Sequence, residues 1–261
     1  MPTRITLTTD FGTTDWFVGT MKGVIARIAP NAEVVDLTHG VAPGDIRAGA
    51  FALAMGYRFF PRGTVHVAVV DPGVGTKRKV AAVRTERYVF IGPDNGVLCW
   101  ALRHETVREI RSVENQSYFL QPVSRTFHGR DIFAPVAAQV SRGLPLRRLG
   151  PLLDDLVQLP WPEPRLSRTG LAGAVLYLDR FGNAITNVPG SALGALGGGR
   201  LAVYRGRRKL CQVAECYDAV SRGKAVAVPG SSGYLEVAVN GGNAAHRFQI
   251  RPGDELRVRP G

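Results

Sequence analysis

The chain has little cysteine, no long apolar run and a shortage of acidic residues. Its 261 residues include only Cys99, Cys211 and Cys216, and an odd number of thiols builds no disulfide framework. No histidine or second cysteine pair accompanies Cys211 and Cys216, so no metal-ligand spacing is present. No stretch is long and apolar enough for a membrane span, and Met-Pro-Thr-Arg leads straight into a short strand rather than a signal peptide. These absences predict reduced thiols in a cytoplasmic protein with no membrane contact. The phosphate-binding patterns Gly-x-Gly-x-x-Gly and Gly-Lys-Ser/Thr are missing, as is the Gly-x-Ser-x-Gly elbow of a serine hydrolase.

The acid shortage leaves a net charge of +12, which raises the question of a polyanionic partner. The basic residues are scattered, however: Arg142, Arg147 and Arg148 near one helix end, Arg205 to Lys209 in a hairpin, Arg247 to Arg259 at the C-terminus. No aromatic stripe interleaves them, so nucleic acid is not an expected partner. A composition 45% hydrophobic and 21% charged is that of a soluble globular protein.

Residues 1–158 alternate between strand and helix patterns. Arg4–Thr9 reads as a strand ending at Asp10-Phe11-Gly12, and Thr14 or Asp15 can cap a helix through Val18, Met21, Ile25 and Ile28. Ala32–Leu37 is a second strand, and Pro43-Gly44-Asp45 opens a second helix. Val65–Val70 is continuously apolar, as in a strand covered on both faces. Val80–Arg84 and Tyr88–Ile91 read as a β pair, and Asp131 as the start of a helix through Val140. The alternation predicts an α/β domain with a mostly parallel sheet. Residues 159–170, containing Pro160-Trp-Pro-Glu-Pro164, read as a linker. In residues 171–261 short β runs separated by Gly, Asn and Ser turns predict a small antiparallel barrel or sandwich.

Several loops join polar groups to glycine. Asp10 suits a ribose diol, since a carboxylate accepts from both hydroxyls, or serves as a turn residue. Asp71-Pro-Gly-Val-Gly-Thr-Lys-Arg78 follows the apolar strand and offers either a catalytic ion pair or a loop-stiffening one. Gly92-Pro-Asp94-Asn95-Gly96 reads as a turn. His128, just before a helix, suits a proton carrier or water-orienting group; His39, His66, His104 and His246 read as structural. Asp179-Arg-Phe181-Gly-Asn183 supplies a carboxylate, an aromatic face and an amide for a purine or an amino-acid headgroup. Gly230-Ser231-Ser232-Gly233 offers hydroxyls and backbone N–H groups for a carboxylate.

Together these motifs resemble the S-adenosylmethionine (SAM) hydroxide adenosyltransferases, relatives of the SAM-dependent fluorinase and chlorinase. The resemblance covers nearly the whole chain, through TTDFGTTDWFVG, VVDLTHGVAPGDIRAGA, VVDPGVGTKRK, IGPDNG, FHGRDIFAP, DRFGNAITN and GSSGYLEVAVNGGNAA, in that order. It implies a Rossmann-like N-terminal domain, a small β-barrel C-terminal domain, and a homotrimer with active sites at subunit interfaces. It also implies that Asp71, Arg78 and His128 hold and activate water. Asp10 then binds the ribose, Phe181 and Asn183 the adenine, and Asp179 and Ser231 the methionine amine and carboxylate. Glu236 and Val239 lie in the segment that closes over the nucleoside. No metal and no cofactor is implied, because SAM is the substrate. The fluorinase has Tyr where this chain has Asp71 and Ser where it has Gly129, departures that favour water over halide; the chlorinase shares the Gly.

The expected reaction is SAM + H2O → adenosine + L-methionine, with the inactive sulfonium epimer as a physiological target. Three rivals stand beside it: a halogenase on the same scaffold, a metal-dependent phosphohydrolase using Asp10, Asp36, Asp71, Asp94 and His128, and a non-catalytic nucleoside or nucleic-acid binder.

Overall fold

The computed structural model describes residues 3–197 and 199–261. The chain forms two compact units that divide between Leu159 and Pro160. The first is built on six strands, β1 (Arg4–Thr9), β2 (Glu33–Thr38), β3 (Val65–Val69), β4 (Val80–Thr85), β5 (Val89–Pro93) and β6 (Val107–Ser112), in the order β2-β1-β3-β5-β4-β6. β2, β1, β3 and β5 run parallel, while β4 and β6 are antiparallel additions. Helices α1 (Phe17–Ile28) and α4 (Ala134–Ser141) cover one face through Met21, Ile25, Val136 and Val140, against Ile5, Leu7, Val65 and Val67. α2 (Ile46–Gly56) lies against β1, β2 and β3 and meets the short α3 (Cys99–Leu102).

β1 pairs with β2 on one side and β3 on the other, so the chain reverses direction across the sheet at the carboxyl end of β1. Ligands of open α/β sheets bind at such a switch point. The register Thr9↔Val69 places the loops beginning at Asp10 and Val70 side by side.

Two local expectations are corrected. α1 begins at Phe17 with Trp16 in the cap position and no side-chain cap, so neither Thr14 nor Asp15 plays that part. The helix expected from Asp131 starts instead as a π-helical turn, Gly129–Phe133, that runs into α4. A π turn has no periodicity of its own to read in sequence, and such turns often mark functional sites. Asp45 does cap α2, accepting from Ala48 N at 2.9 Å.

The second unit holds β7 (Arg165–Ser167), β8 (Gly170–Leu178), β9 (Ala184–Pro189), β10 (Leu201–Arg205), β11 (Arg208–Val213), β12 (Ala225–Pro229), β13 (Tyr234–Val239), α5 (Ala244–Phe248) and β14 (Glu255–Pro260). The order β14-β10-β11-β12-β13-β9-β8 closes through a β14–β8 pairing into a seven-stranded barrel, with β7 added on β8. Closure removes the exposed edges of a small sheet. One pair departs from the antiparallel expectation: β11 and β12 run parallel, joined by a crossover over residues 214–224. Val175, Val188, Leu235, Val237, Leu256 and Val258 fill the interior. No helix among the described residues is long and apolar enough to cross a membrane.

His66, on β3, is fully buried among Tyr57, Phe60, Tyr88 and Phe90, with ring centroids 5.0–5.8 Å away. Its Nδ1 pairs with Thr6 Oγ1 at 2.8 Å, and Nε2 has no partner among the described residues. Burial pushes its pKa from 6.5 down to about 3. The unfolded chain therefore takes up a proton that the folded chain refuses, and stability falls as pH drops from 6.5 toward 3. At pH 5 the effect is on the order of 2 kcal/mol. His66→Phe keeps an aromatic ring in the cage. In calorimetry at pH 7.5 and pH 5, the acid-induced fall in Tm should be about 4–8 °C smaller in this variant than in the wild type. Equal falls in the two proteins would show that the acid sensitivity arises from groups other than His66.

Candidate active site

The first unit carries a cavity of about 340 Å³ at the switch point, lined by residues that include Asp10, Phe11, Phe17, Asp71, Phe127, His128 and Gly129. Its polar floor depends on Arg78. Arg78 Nε donates to both oxygens of Asp71 at 3.0 and 2.9 Å, and Nη2 donates to Asp71 Oδ2 and to His128 Nδ1, the latter at 2.7 Å. The side chains of Asp71 and Arg78 are 5% and 11% exposed. A guanidinium has donors only, so the short contact to His128 fixes the tautomer: Nδ1 accepts, and the proton of the neutral ring sits on Nε2. Burial first, and the Arg78 charge second, lower the His128 pKa below its ordinary 6.5, while Asp71 opposes them.

Glycine makes this meeting possible. Gly75 has φ +75°, and a Cβ there would strike the carbonyl of Arg125, so the 71–78 loop can close onto the segment that presents His128. At Gly129 a Cβ would lie 3.0–3.1 Å from Phe127, Met21 and Phe11. Phe11, Phe17 and Phe127 contact one another with centroids 5.1–5.9 Å apart and form an apolar wall beside the charged floor.

Asp10 directs one oxygen to Gly44 N at 2.8 Å, which leaves the other open to a ligand. The turn after it is braced by His39. The His39 carbonyl accepts from Gly12 N at 2.9 Å, its Nδ1 pairs with Thr9 Oγ1 at 2.8 Å, and its Nε2 lies 3.0 Å from Asp36, which in turn pairs with Lys22. His39 is thus structural, as its sequence suggests, but in direct service of the pocket. Asp131 has a part that sequence reasoning misses. Fully buried, it accepts from Ser124 N at 2.7 Å and from Arg130 Nε at 2.6 Å, and so ties down the loop that presents His128. The Gly92–Gly96 motif is a brace: Asn95 Nδ2 donates to Val70 O at 2.8 Å, at the base of Asp71. Of the residues named for a metal-dependent phosphohydrolase, Asp10, Asp71 and His128 line the first cavity, but Asp94 and Asp36 are engaged elsewhere: Asp94 accepts from Val157 N and Asp36 pairs with Lys22. Among the described residues no group of three or more His, Cys, Asp and Glu side chains is placed to hold a metal ion.

The second unit has its own cavity, about 620 Å³, lined by residues that include Asp179, Phe181, Asn183, Tyr217, Ser231, Glu236 and Val239. All six second-domain residues singled out from sequence therefore meet there. The Asp179–Asn183 loop holds itself: Asp179 Oδ1 accepts from Phe181 N and Asn183 N at 2.9 and 2.8 Å, and Oδ2 from Asn183 Nδ2 at 2.9 Å. Gly182, with φ +79°, packs directly on the side chain of Asn243, the cap of α5. Phe181 is 75% exposed, an aromatic face presented to the cavity rather than to the core. Glu236 is buried and accepts a hydrogen bond from Tyr217, a residue that no sequence pattern marks.

Residues 5–150 match the N-terminal domain of the SAM hydroxide adenosyltransferases and residues 173–257 their C-terminal domain. The chain is 42% identical over 260 residues to the (R)-S-adenosyl-L-methionine hydrolase of Salinispora tropica, covering 98% of each chain. It is 40% identical over 262 residues to the protein of the same name from Thermus thermophilus, covering 95% of this chain and 96% of that one. A fluorinase from an Actinoplanes species is more distant, 28% identical over 291 residues with 97% and 96% covered. Among solved structures, an uncharacterized conserved protein from Thermotoga maritima superposes with a TM-score of 0.92 at 39% identity, over 97% of this chain and 99% of that one. Two domain matches in order, and identity of this order over nearly the full length, place the chain in the SAM hydroxide adenosyltransferase family.

Proposed function

We propose that this protein hydrolyses SAM, and the (R)-sulfonium epimer in preference, to adenosine and L-methionine. The observation that carries the reading is the Asp71–Arg78–His128 chain, whose Asp71 and His128 line the first cavity together with Asp10. The names of the relatives at 40–42% identity support it, and the lower identity to the fluorinase, 28%, disfavours halide as the nucleophile.

Water attacks ribose C5′ in line with the C5′–S bond, and methionine departs as a neutral thioether that needs no protonation. Orientation of the two reactants can supply several kcal/mol of the required barrier reduction. His128 donates from Nε2 to the water oxygen and holds it, and Asp71 accepts the proton as the new C–O bond forms. Arg78 fixes both partners and stabilises negative charge developing on the oxygen. Asp10 holds the ribose diol. The cavity of the second unit takes the adenine and the amino acid. One SAM is enclosed by the first cavity of one subunit and the second cavity of its neighbour in a homotrimer, and no metal takes part. Three unpaired cysteines suit the cytoplasm as its compartment.

The deciding experiment incubates purified protein with each separated SAM epimer in H2(18)O, with EDTA present and with chloride added or omitted. Mass spectrometry should show adenosine carrying 18O at C5′ together with methionine, faster from the (R) epimer, and Asp71→Asn should lower kcat about a hundredfold to ten-thousandfold. Chlorinated nucleoside would reassign the protein as a halogenase, and unlabelled adenosine would refute direct attack by water.

Protonating His128 would place a hydrogen where Arg78 donates, so activity requires the neutral ring. Because the His128 pKa lies below 6.5, kcat/KM should fall on an acid limb whose midpoint lies below pH 6.5. An acid limb centred above pH 7 would show that another group controls the rate. Light scattering on a size-exclusion column should give a trimer of the 28.2 kDa chain, and a monomeric active enzyme would exclude the shared site.

A further inference from the structure

The barrel carries a basic face that the order of the chain hides. In residues 160–261 fourteen arginines and lysines stand against seven aspartates and glutamates, so the second unit supplies more than half of the net charge of +12. Several of these cations are far apart in sequence but share one outer surface. Leu171, Val203, Leu256 and Val258 point into the barrel core, and side chains alternate along a strand, so Ala172, Tyr204, Arg257 and Arg259 face outward.

Strand register lines them up. Tyr204 of β10 lies opposite Lys209 of β11 on one side and Arg257 of β14 on the other. Arg257 lies opposite Ala172 of β8, which in turn lies opposite Arg165 of β7. One row, Lys209–Tyr204–Arg257–Ala172–Arg165, thus crosses five strands and spans about 20 Å. Arg259, two residues beyond Arg257, lays its guanidinium over the Tyr204 ring, 3.8 Å from the centroid. Two acids border the row. Glu255 pairs with Arg165 at 2.6 Å and with Arg257 at 3.2 Å, and Glu163 lines the same small cavity as Arg165. A guanidinium has five N–H donors, so Arg165 and Arg257 keep donors to spare. The face is distinct from the second cavity, which is lined from β9, β13, the crossover and the loops beside them.

We propose that this face binds single-stranded nucleic acid without sequence preference. Lys209, Arg257, Arg259 and Arg165 suit the phosphates, and the Tyr204–Arg259 stack offers a flat platform on which a base can lie. Small β-barrels that bind oligonucleotides through a strand face use this pairing of cations with an aromatic ring. A lipid surface or an acidic protein would use the charges but leave the platform idle, which favours nucleic acid. Sequence shows no aromatic stripe among the basic residues; the register brings one ring into their midst.

The test is fluorescence anisotropy of labelled oligo(dT) twelve nucleotides long, titrated with the purified full chain in 25 to 200 mM KCl and without SAM, so that failure here and failure of the hydrolase reading are separate results. Log K should fall linearly with log salt at a slope of about −2 to −3, as three or four neutralised phosphates give. Lys209→Gln and Arg257→Gln should each weaken binding at 50 mM KCl about fivefold and make the slope shallower by about 0.7. Arg259→Lys and Tyr204→Leu keep the charge but lose the stack, and should weaken binding about threefold to tenfold at an unchanged slope. Absence of wild-type binding at 25 mM KCl would overturn the proposal. So would equal losses from Arg142→Gln, Arg147→Gln and Arg148→Gln in the first unit, which would show an effect of net charge alone. Binding to phosphatidylserine vesicles or oligoglutamate as tight as to the oligonucleotide would likewise overturn it, and assign the face to a membrane or an acidic protein.

Discussion

One buried guanidinium organises the first cavity. Arg78 satisfies a carboxylate through Nε and Nη2 and an imidazole through Nη2, and its own burial is tolerable only because both acceptors are present. Removing any member leaves the others wrong: without Arg78 the Asp71 carboxylate is buried and unpaired, and without His128 one donor of the fork loses its acceptor. Lysine cannot substitute, since a point charge lacks the planar fork that reaches both partners. The aromatic ring of Phe133, 5.5 Å beneath the guanidinium, adds a cation–π contact that holds the plane of the fork.

That interaction imposes a demand on the backbone. Asp71 leaves the end of β3, His128 precedes a π turn far along the chain, and Arg78 must touch both. The 71–78 loop meets the demand by bending at Gly75 against the Arg125 carbonyl. The His128 segment meets it through Asp131, whose carboxylate gathers Ser124 and Arg130. The Asp10 turn is held by a different device, the Thr9–His39–Asp36–Lys22 chain. Three separate braces therefore converge on one cavity, as expected where reacting groups must be held within a fraction of an ångström.

Much of this is legible in the sequence because it rests on local rules. The apolar run at Val65–Val69 announces a strand buried on both faces, Asp45 announces the cap of α2, and the polar loops at strand ends announce where chemistry lies. What stays hidden depends on contacts between distant segments. A π turn has no period, so Gly129–Phe133 reads as ordinary helix. β9 begins inside the DRFGNAITN motif, which draws attention as a loop rather than as the start of the strand Ala184–Pro189. The parallel β11–β12 pair follows from barrel closure, not from any local pattern. Tyr217 carries no marker at all, because its importance comes from lying across the outer face of β13 beside a carboxylate.

The division of labour between the cavities follows from the reaction assigned to them. In the proposed reaction, attack of water on C5′ with transfer of its proton to the Asp71 carboxylate carries an anion and a sulfonium toward a neutral carboxyl, a neutral alcohol and a neutral thioether. Charge is therefore more dispersed in the transition state than in the reactants, and a site that excludes water favours it. The wall of Phe11, Phe17 and Phe127 provides such a surface beside the reacting groups. A thioether leaves without a proton, so no acid is needed on the leaving side, and every ionisable group on the cavity floor can serve the nucleophile or the ribose. The ammonium end of the substrate must then be recognised elsewhere. The second cavity, with two carboxylates and no basic side chain among its described lining residues, has the charge to do it.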